Sequence, residues 1–215
     1  MFELTKIVYK DILRFDELTI EKGKVSILTG ESGSGKTTLL KLLNHMITPD
    51  EGTVLYKGED VKALNPVLHR RNVVMLQQMP AIFPGTVKDN LIAGLAFSEK
   101  TVPADAELEE ALHTVYLKKP LETKAGGLSG GEKQRLALAR VLLMDAEAYL
   151  LDEPSSALDD ETADEVISSF LNKAKKKHKT VVMVTHSKRI AAHYADVNIL
   201  LKKINQKKRG QSNEG

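Results

Sequence analysis

The apolar and polar positions divide the chain into short buried-type strands and amphipathic helices. Val25-Ser26-Ile27-Leu28, Val73-Val74-Met75-Leu76, Ala148-Tyr149-Leu150-Leu151 and Val181-Val182-Met183-Val184 are brief, mostly apolar runs, the pattern of strands buried on both faces. Thr53-Val54-Leu55-Tyr56 reads as a further strand, ending at the Lys57-Gly58 turn. Between residues 161 and 177, Ala163, Val166, Ile167, Phe170, Leu171 and Ala174 recur at helical spacing and form one apolar stripe. Helices are also expected from Lys36 past Leu43 and over 87–95, 105–117, 131–143 and 187–195. Pro80, Pro84, Pro103 and Pro120 punctuate the stretch from 80 to 127, which reads as a small inserted α-helical subdomain. Strands alternating with helices imply an α/β fold around a mostly parallel sheet.

Composition narrows this picture. The 215 residues are 42% hydrophobic and 28% charged, an ordinary globular balance with enough chain to bury a full core. Cysteine is absent, which excludes disulfides, thiol catalysis and cysteine metal sites. No apolar run approaches the ~20 residues needed to cross a bilayer. The start, Met1-Phe2-Glu3-Leu4-Thr5-Lys6, lacks the apolar core of a secretory signal. The net charge of +2 hides an asymmetry, because the last 55 residues carry 12 basic and 5 acidic side chains. A basic end suits nucleic acid or an anionic membrane surface. Lysines 173, 175, 176 and 177 fall at a helix C-terminus, however, where the dipole favours cations and a solvated face suffices. Residues 1–201 read as one domain and 202–215 as a basic, disordered tail.

Glycine marks the chemistry. Seven of the 14 glycines fall in two six-residue windows, 30–35 and 126–131. The first, Gly30-Glu31-Ser32-Gly33-Ser34-Gly35-Lys36-Thr37, matches G-x-x-x-x-G-K-[ST] between a strand and a helix. Its backbone N–H groups and helix N-terminus suit nucleotide phosphates, and Lys36 would neutralise the β/γ-phosphates. Gly30, Ser32, Gly33, Ser34, Gly35, Lys36, Thr37 and Thr38 are therefore candidates to bind a nucleotide, with the Thr37 hydroxyl a ligand for Mg²⁺. The strand 148–151 ends in Asp152-Glu153, at the sheet edge where open α/β folds bind ligands. Asp152 would reach Mg²⁺, and Glu153 would polarise a water for in-line attack. Leu128-Ser129-Gly130-Gly131-Glu132 opens a second helix whose N-terminus either binds phosphate or is a glycine turn with a serine cap.

Together these motifs resemble the ATP-binding subunit of an ATP-binding-cassette (ABC) transporter. The phosphate loop, LSGGE, LLDEPSSALD and VVMVTHS occur in the family's order, and the likeness covers residues 1–201. It implies a P-loop NTPase fold with an ABC-ATPase core, an N-terminal antiparallel β-subdomain and an inserted helical subdomain. It also implies further site residues. Tyr9 resembles the aromatic that stacks on adenine, Gln78 the glutamine that contacts Mg²⁺, Asp159 the aspartate that meets the partner subunit, and His186 the γ-phosphate switch. Tyr9 read alone is an edge-strand aromatic, and Asp159 a helix cap. Ser129, Gly130 and Gly131 would close on ATP held by the opposite chain of a homodimer, so that hydrolysis depends on dimer closure.

Glu132 stands where many family members carry glutamine. With no spanning segment, the resemblance implies a separate transmembrane permease and a place on the cytoplasmic face of the cell membrane. Nucleic acid is not an expected partner: Lys36 and Leu128 are 92 positions apart, with neither the coiled-coil nor the zinc insertions of DNA-maintenance relatives. A switch acting on a membrane partner that transports nothing fits the same motifs. Residues 58–91 resemble the ATPases of two-component iron or metal exporters.

Overall fold

The computed structural model describes residues 1–204; most of the expected basic tail, 205–215, lies outside the described residues. Two sheets carry the fold. β1 (Phe2–Tyr9), β2 (Leu13–Ile20), β4 (Glu51–Tyr56) and β5 (Glu59–Asp60) form an antiparallel sheet in the order β2-β1-β4-β5. β3 (Val25–Thr29), β6 (Val73–Leu76), β7 (Ala148–Asp152), β8 (Thr180–Val184) and β9 (Val197–Leu200) form the second sheet, order β6-β7-β8-β3-β9. Every pairing in the second sheet is parallel.

The apolar strand pattern follows from two cores, one on each face of the parallel sheet. Tyr149 and Leu151 point into one core, Ala148 and Leu150 into the other, because side chains alternate along a strand. The first core also takes α3 (Val87–Phe97), α4 (Asp105–Thr114), α5 (Gly130–Leu143) and α6 (Asp160–Lys176). Val166, Ile167, Phe170 and Leu171, from the expected stripe, are all within 1% of full burial there. The second core joins α1 (Lys36–Leu43) to Phe2, Leu4 and Ile7 of β1, so the antiparallel sheet seals the opposite face.

The structure also corrects the sequence reading. α2 (Pro66–Asn72) is an additional helix, started by Asn65, whose side chain accepts from the N–H groups of Val67 and Leu68. The helix expected over 105–117 stops at Thr114, with Tyr116 at a left-handed φ of 55°. The helix expected over 187–195 is α7 (Lys188–Tyr194), with Ser187 as its cap. The lysines that end α6 serve as anchors: Lys173 pairs with Glu110, Lys175 with Asp196, and Lys177 with Asp145. Among the described residues, no helix is long and apolar enough to cross a membrane.

Candidate functional site

The loop between β3 and α1 is shaped by its glycines. Gly30 has a φ of 144°, and a Cβ there would run into the Leu201 carbonyl. Gly35 caps α1 at a left-handed φ of 89°, where a Cβ would sit 2.8 Å from Leu13 Cδ1. No side chain caps this helix end. Its first N–H groups have no partner within the helix, the arrangement that suits an anion. Lys36 Nζ donates to the Gly30 and Glu31 carbonyls, each at 2.9 Å, so the ammonium is seated on the loop itself.

A cleft of about 400 Å³ opens here, lined by Ile12, Ser32, Gly33, Gly35, Lys36, Thr37, Thr38, Gln78, Glu153 and His186. Sheet order explains why distant residues meet in it. Gln78, Glu153 and His186 lie just beyond the carboxyl ends of β6, β7 and β8, three neighbouring strands. Gln78 Nε2 donates to Glu153 Oε2 at 3.0 Å, and His186 Nε2 lies 3.2 Å from Glu153 Oε1. Gln77 instead lines a separate groove with Arg70, Phe97 and Arg140. The segment that follows Gln78 is pinned to two helices. Asn90 of α3 bonds the N–H and carbonyl of Phe83 and the carbonyl of Thr86, while Arg140 of α5 donates to the Ala81 carbonyl at 2.7 Å.

Asp152 is 3% exposed, and burial raises its pKa above the ordinary carboxylate value. A hydrogen bond from Thr37 and the charges of Lys41 and Lys36 act in the opposite direction. A buried carboxylate beside a hydroxyl is an oxygen donor pair suited to Mg²⁺, a hard cation that takes few protein ligands. Among the described residues no cluster of three His, Asp or Glu side chains forms a complete metal cage. Such a site fits a cation carried in with phosphates.

The glycine turn before α5 lies apart from this cleft. Ser129 and Gly130 are exposed, and neither they nor Gly131 line it. Ser129 Oγ accepts from the Glu132 N–H at 3.3 Å, and Glu132 Oε2 accepts from the Ser129 N–H at 2.9 Å: a capping box. Glu132, where the family often has glutamine, thus has a structural role. Asp159 caps α6 by accepting from the Thr162 N–H at 3.0 Å. Tyr9 ends β1 half-buried against the second core, and Ile12 rather than Tyr9 lines the cleft.

Residues 13–156, more than half of the chain, match the family model described as ABC transporter. This chain belongs to that family. The cassette is 41% identical to the rice protein STAR1 over 193 residues, 89% of the cassette and 56% of the relative. It therefore spans little more than half the length of that relative. Thiamine import ATP-binding protein ThiQ of Vibrio parahaemolyticus is 39% identical over 194 residues, covering 87% of the cassette and 82% of ThiQ. Among solved structures, the dimeric post-hydrolysis cassette MJ0796 bound to ADP and Pi superposes with a TM-score of 0.84. That likeness is at 27% identity and covers 94% of this chain and 95% of the other. The chain thus has the α/β ABC ATPase fold, with one parallel and one antiparallel sheet.

Proposed function

We propose that the cassette binds MgATP in the Gly30–Thr38 cleft, hydrolyses it with Glu153 as general base, and works as a homodimer that drives a separate membrane permease. The carrying observation is the meeting of Gln78, Glu153 and His186 at the edge of the cleft that holds the phosphate loop. Lys36 and the uncapped N–H groups of α1 bind the β- and γ-phosphates. Thr37 and Asp152, with Gln78 beside them, would hold Mg²⁺, which supplies charge neutralisation to the phosphates. Glu153 orients and deprotonates the attacking water, and Gln78 and His186 each contact one oxygen of its carboxylate and so fix its orientation.

The dimer follows from what one chain lacks. Ser129, Gly130 and Gly131 present an anion-suited helix end that is remote from their own cleft, so they would serve the nucleotide of a partner. Asp159 would meet that partner, and Tyr9 would reach adenine from the rim. The dimeric form of the MJ0796 cassette supports this arrangement. Membership of the ABC transporter family supports a membrane partner, and with it a place on the cytoplasmic face of the membrane. We extend the reading to efflux of iron or another metal on the resemblance of residues 58–91; the import named for ThiQ points the other way. Metal uptake into inside-out vesicles containing the permease decides between them.

Glu153→Gln tests the core of the proposal. MgATP affinity should stay within about threefold of the parent while turnover falls by about 10²–10⁴-fold, because the base is lost and the phosphate ligands remain. Steady-state hydrolysis near the parental rate overturns the assignment.

A further inference from the structure

Gln134 is a buried polar side chain that the reaction scheme above does not use. It lies in the second turn of α5, 2% exposed, and each end of its amide is occupied. Nε2 donates to the Glu153 carbonyl at 2.9 Å and to Ser156 Oγ at 3.3 Å. Oε1 accepts from the Ala157 N–H at 2.8 Å. All three partners belong to the loop that leaves β7 and leads to Asp159.

Glu153 itself occupies an unusual conformation. Its φ is +49°, the left-handed region that residues with a Cβ adopt uncommonly and, in this chain, mostly at exposed turns. Its N–H donates to the Val184 carbonyl at 3.1 Å, which ties it to β8. Its carbonyl accepts from the Gln134 amide and, at 3.2 Å, from the Ser156 N–H. Of these, the amide is the one contact that comes from a helix. Gly131, one turn before Gln134, packs so closely on the same loop that an added Cβ would sit 3.0 Å from the Ala157 carbonyl. The first turns of α5 and the loop carrying Glu153 therefore meet at two points.

We propose that Gln134 is a positioning residue for the hydrolytic reaction: its amide holds Glu153 in the left-handed conformation that aims the carboxylate into the cleft. This rests on the reading of Glu153 as base. It also makes the readiness of that base depend on α5, the helix that begins with Ser129 and Gly131. Movement of this helix, on engaging a partner's nucleotide, then reaches the chain's own active site through one side chain.

Gln134→Met tests this by keeping length and volume while removing the amide. Gln134→Glu is the companion: it retains an acceptor for the Ala157 N–H but sets an oxygen against the Glu153 carbonyl. Both should lower kcat for ATP by about 10–100-fold, with KM and the affinity for a fluorescent ATP analogue within about twofold of the parent. The Gln134 side chain makes no hydrogen bond to the phosphate loop, so a loss confined to kcat is the mark of positioning. A kcat within twofold of the parent overturns the proposal. A joint loss of kcat, nucleotide affinity and thermal stability also overturns it, as does failure of both variants to fold, because each result makes Gln134 a packing residue only. Glu153→Gln run in parallel separates the two ideas. If that variant turns over normally, the base assignment falls. If it is inactive while Gln134→Met is normal, only the positioning role falls.

Discussion

The two glycine-rich helix starts, Gly35 before α1 and Ser129 before α5, look alike in sequence but are finished differently. α1 has no side-chain cap and begins at a left-handed glycine, which leaves its leading N–H groups for a ligand. α5 is closed by the Ser129–Glu132 box and braced by Lys119, 3.0 Å from Glu132. The first start therefore keeps hydrogen-bond donors open, as the proposed phosphate site requires. The second is stable by itself and can be carried as a rigid surface toward another molecule. Within the box Ser129 Oγ acts as acceptor, so its hydroxyl proton remains available to donate.

This contrast can be broken first at function. Lys36→Ala should weaken MgATP binding by about 10–100-fold, the loss of a charge-assisted contact to phosphate. Ser129→Arg should leave nucleotide affinity of the isolated chain within about twofold yet reduce turnover by 10²-fold or more. Titration of a fluorescent nucleotide and steady-state hydrolysis separate the two effects. Mixed dimers of the variants should regain hydrolysis through one intact composite site. If proven hybrids stay inactive, the two starts do not serve one site across a dimer.

Stability sharpens the contrast further. Gly35→Ala should destabilise the fold by about 2–3 kcal/mol, since it forces a left-handed residue against Leu13. Gly130→Ala meets nothing within 4 Å and should instead stabilise α5 by up to about 1 kcal/mol. Urea unfolding of both variants checks the ordering. Equal losses would mean that the two glycines have the same role.

The smallest effect concerns Glu132, whose pKa is lowered first by the Ser129 N–H and then by Lys119. A lowered folded pKa gives stability that is fully present above the unfolded value of about 4.3 and is lost as pH falls through the folded one. Glu132→Gln keeps an acceptor for the Ser129 N–H. It should lower stability at pH 7 by about 0.5 kcal/mol and leave stability at acid pH, where the parent carboxyl is protonated, nearly unchanged, so that the acid limb flattens. An unaltered acid limb would show that the carboxylate charge adds nothing to the cap.

Much of the fold was legible because strands covered on both faces have no polar positions to confuse their reading. β7 and β8 are apolar except for Asp152 at the end of one and Thr180 at the start of the other, and α6 shows its stripe without interruption. α2 escaped notice because Val67 and Leu68 are half exposed, so the helix has no apolar face to display. Its Asn65-Pro66 start was the available signal, a cap followed by proline in the first turn. The S-x-x-E spacing of Ser129 and Glu132 likewise announced a capping box. The phosphate loop and Asp152-Glu153 were readable because their chemistry is local. The roles of Gln134 and Ile12 were not. The amide of Gln134 finds its partners 19 to 23 residues away, and Ile12 enters the cleft only because the β1–β2 hairpin folds over Gly35.

The segment between β6 and α3, residues 77–86, has ten positions, and free it would cost about 10–20 kcal/mol of chain entropy to order. The bonds from Asn90 and Arg140 already fix Ala81, Phe83 and Thr86, which leaves Gln77 to Pro80 as the adjustable part. Pro80 has one torsion set by its ring. Bringing Gln78 to Glu153 therefore costs the freedom of about four residues, on the order of 4–8 kcal/mol. Most of the disorder this loop can lose has been removed in folding, before any ligand arrives.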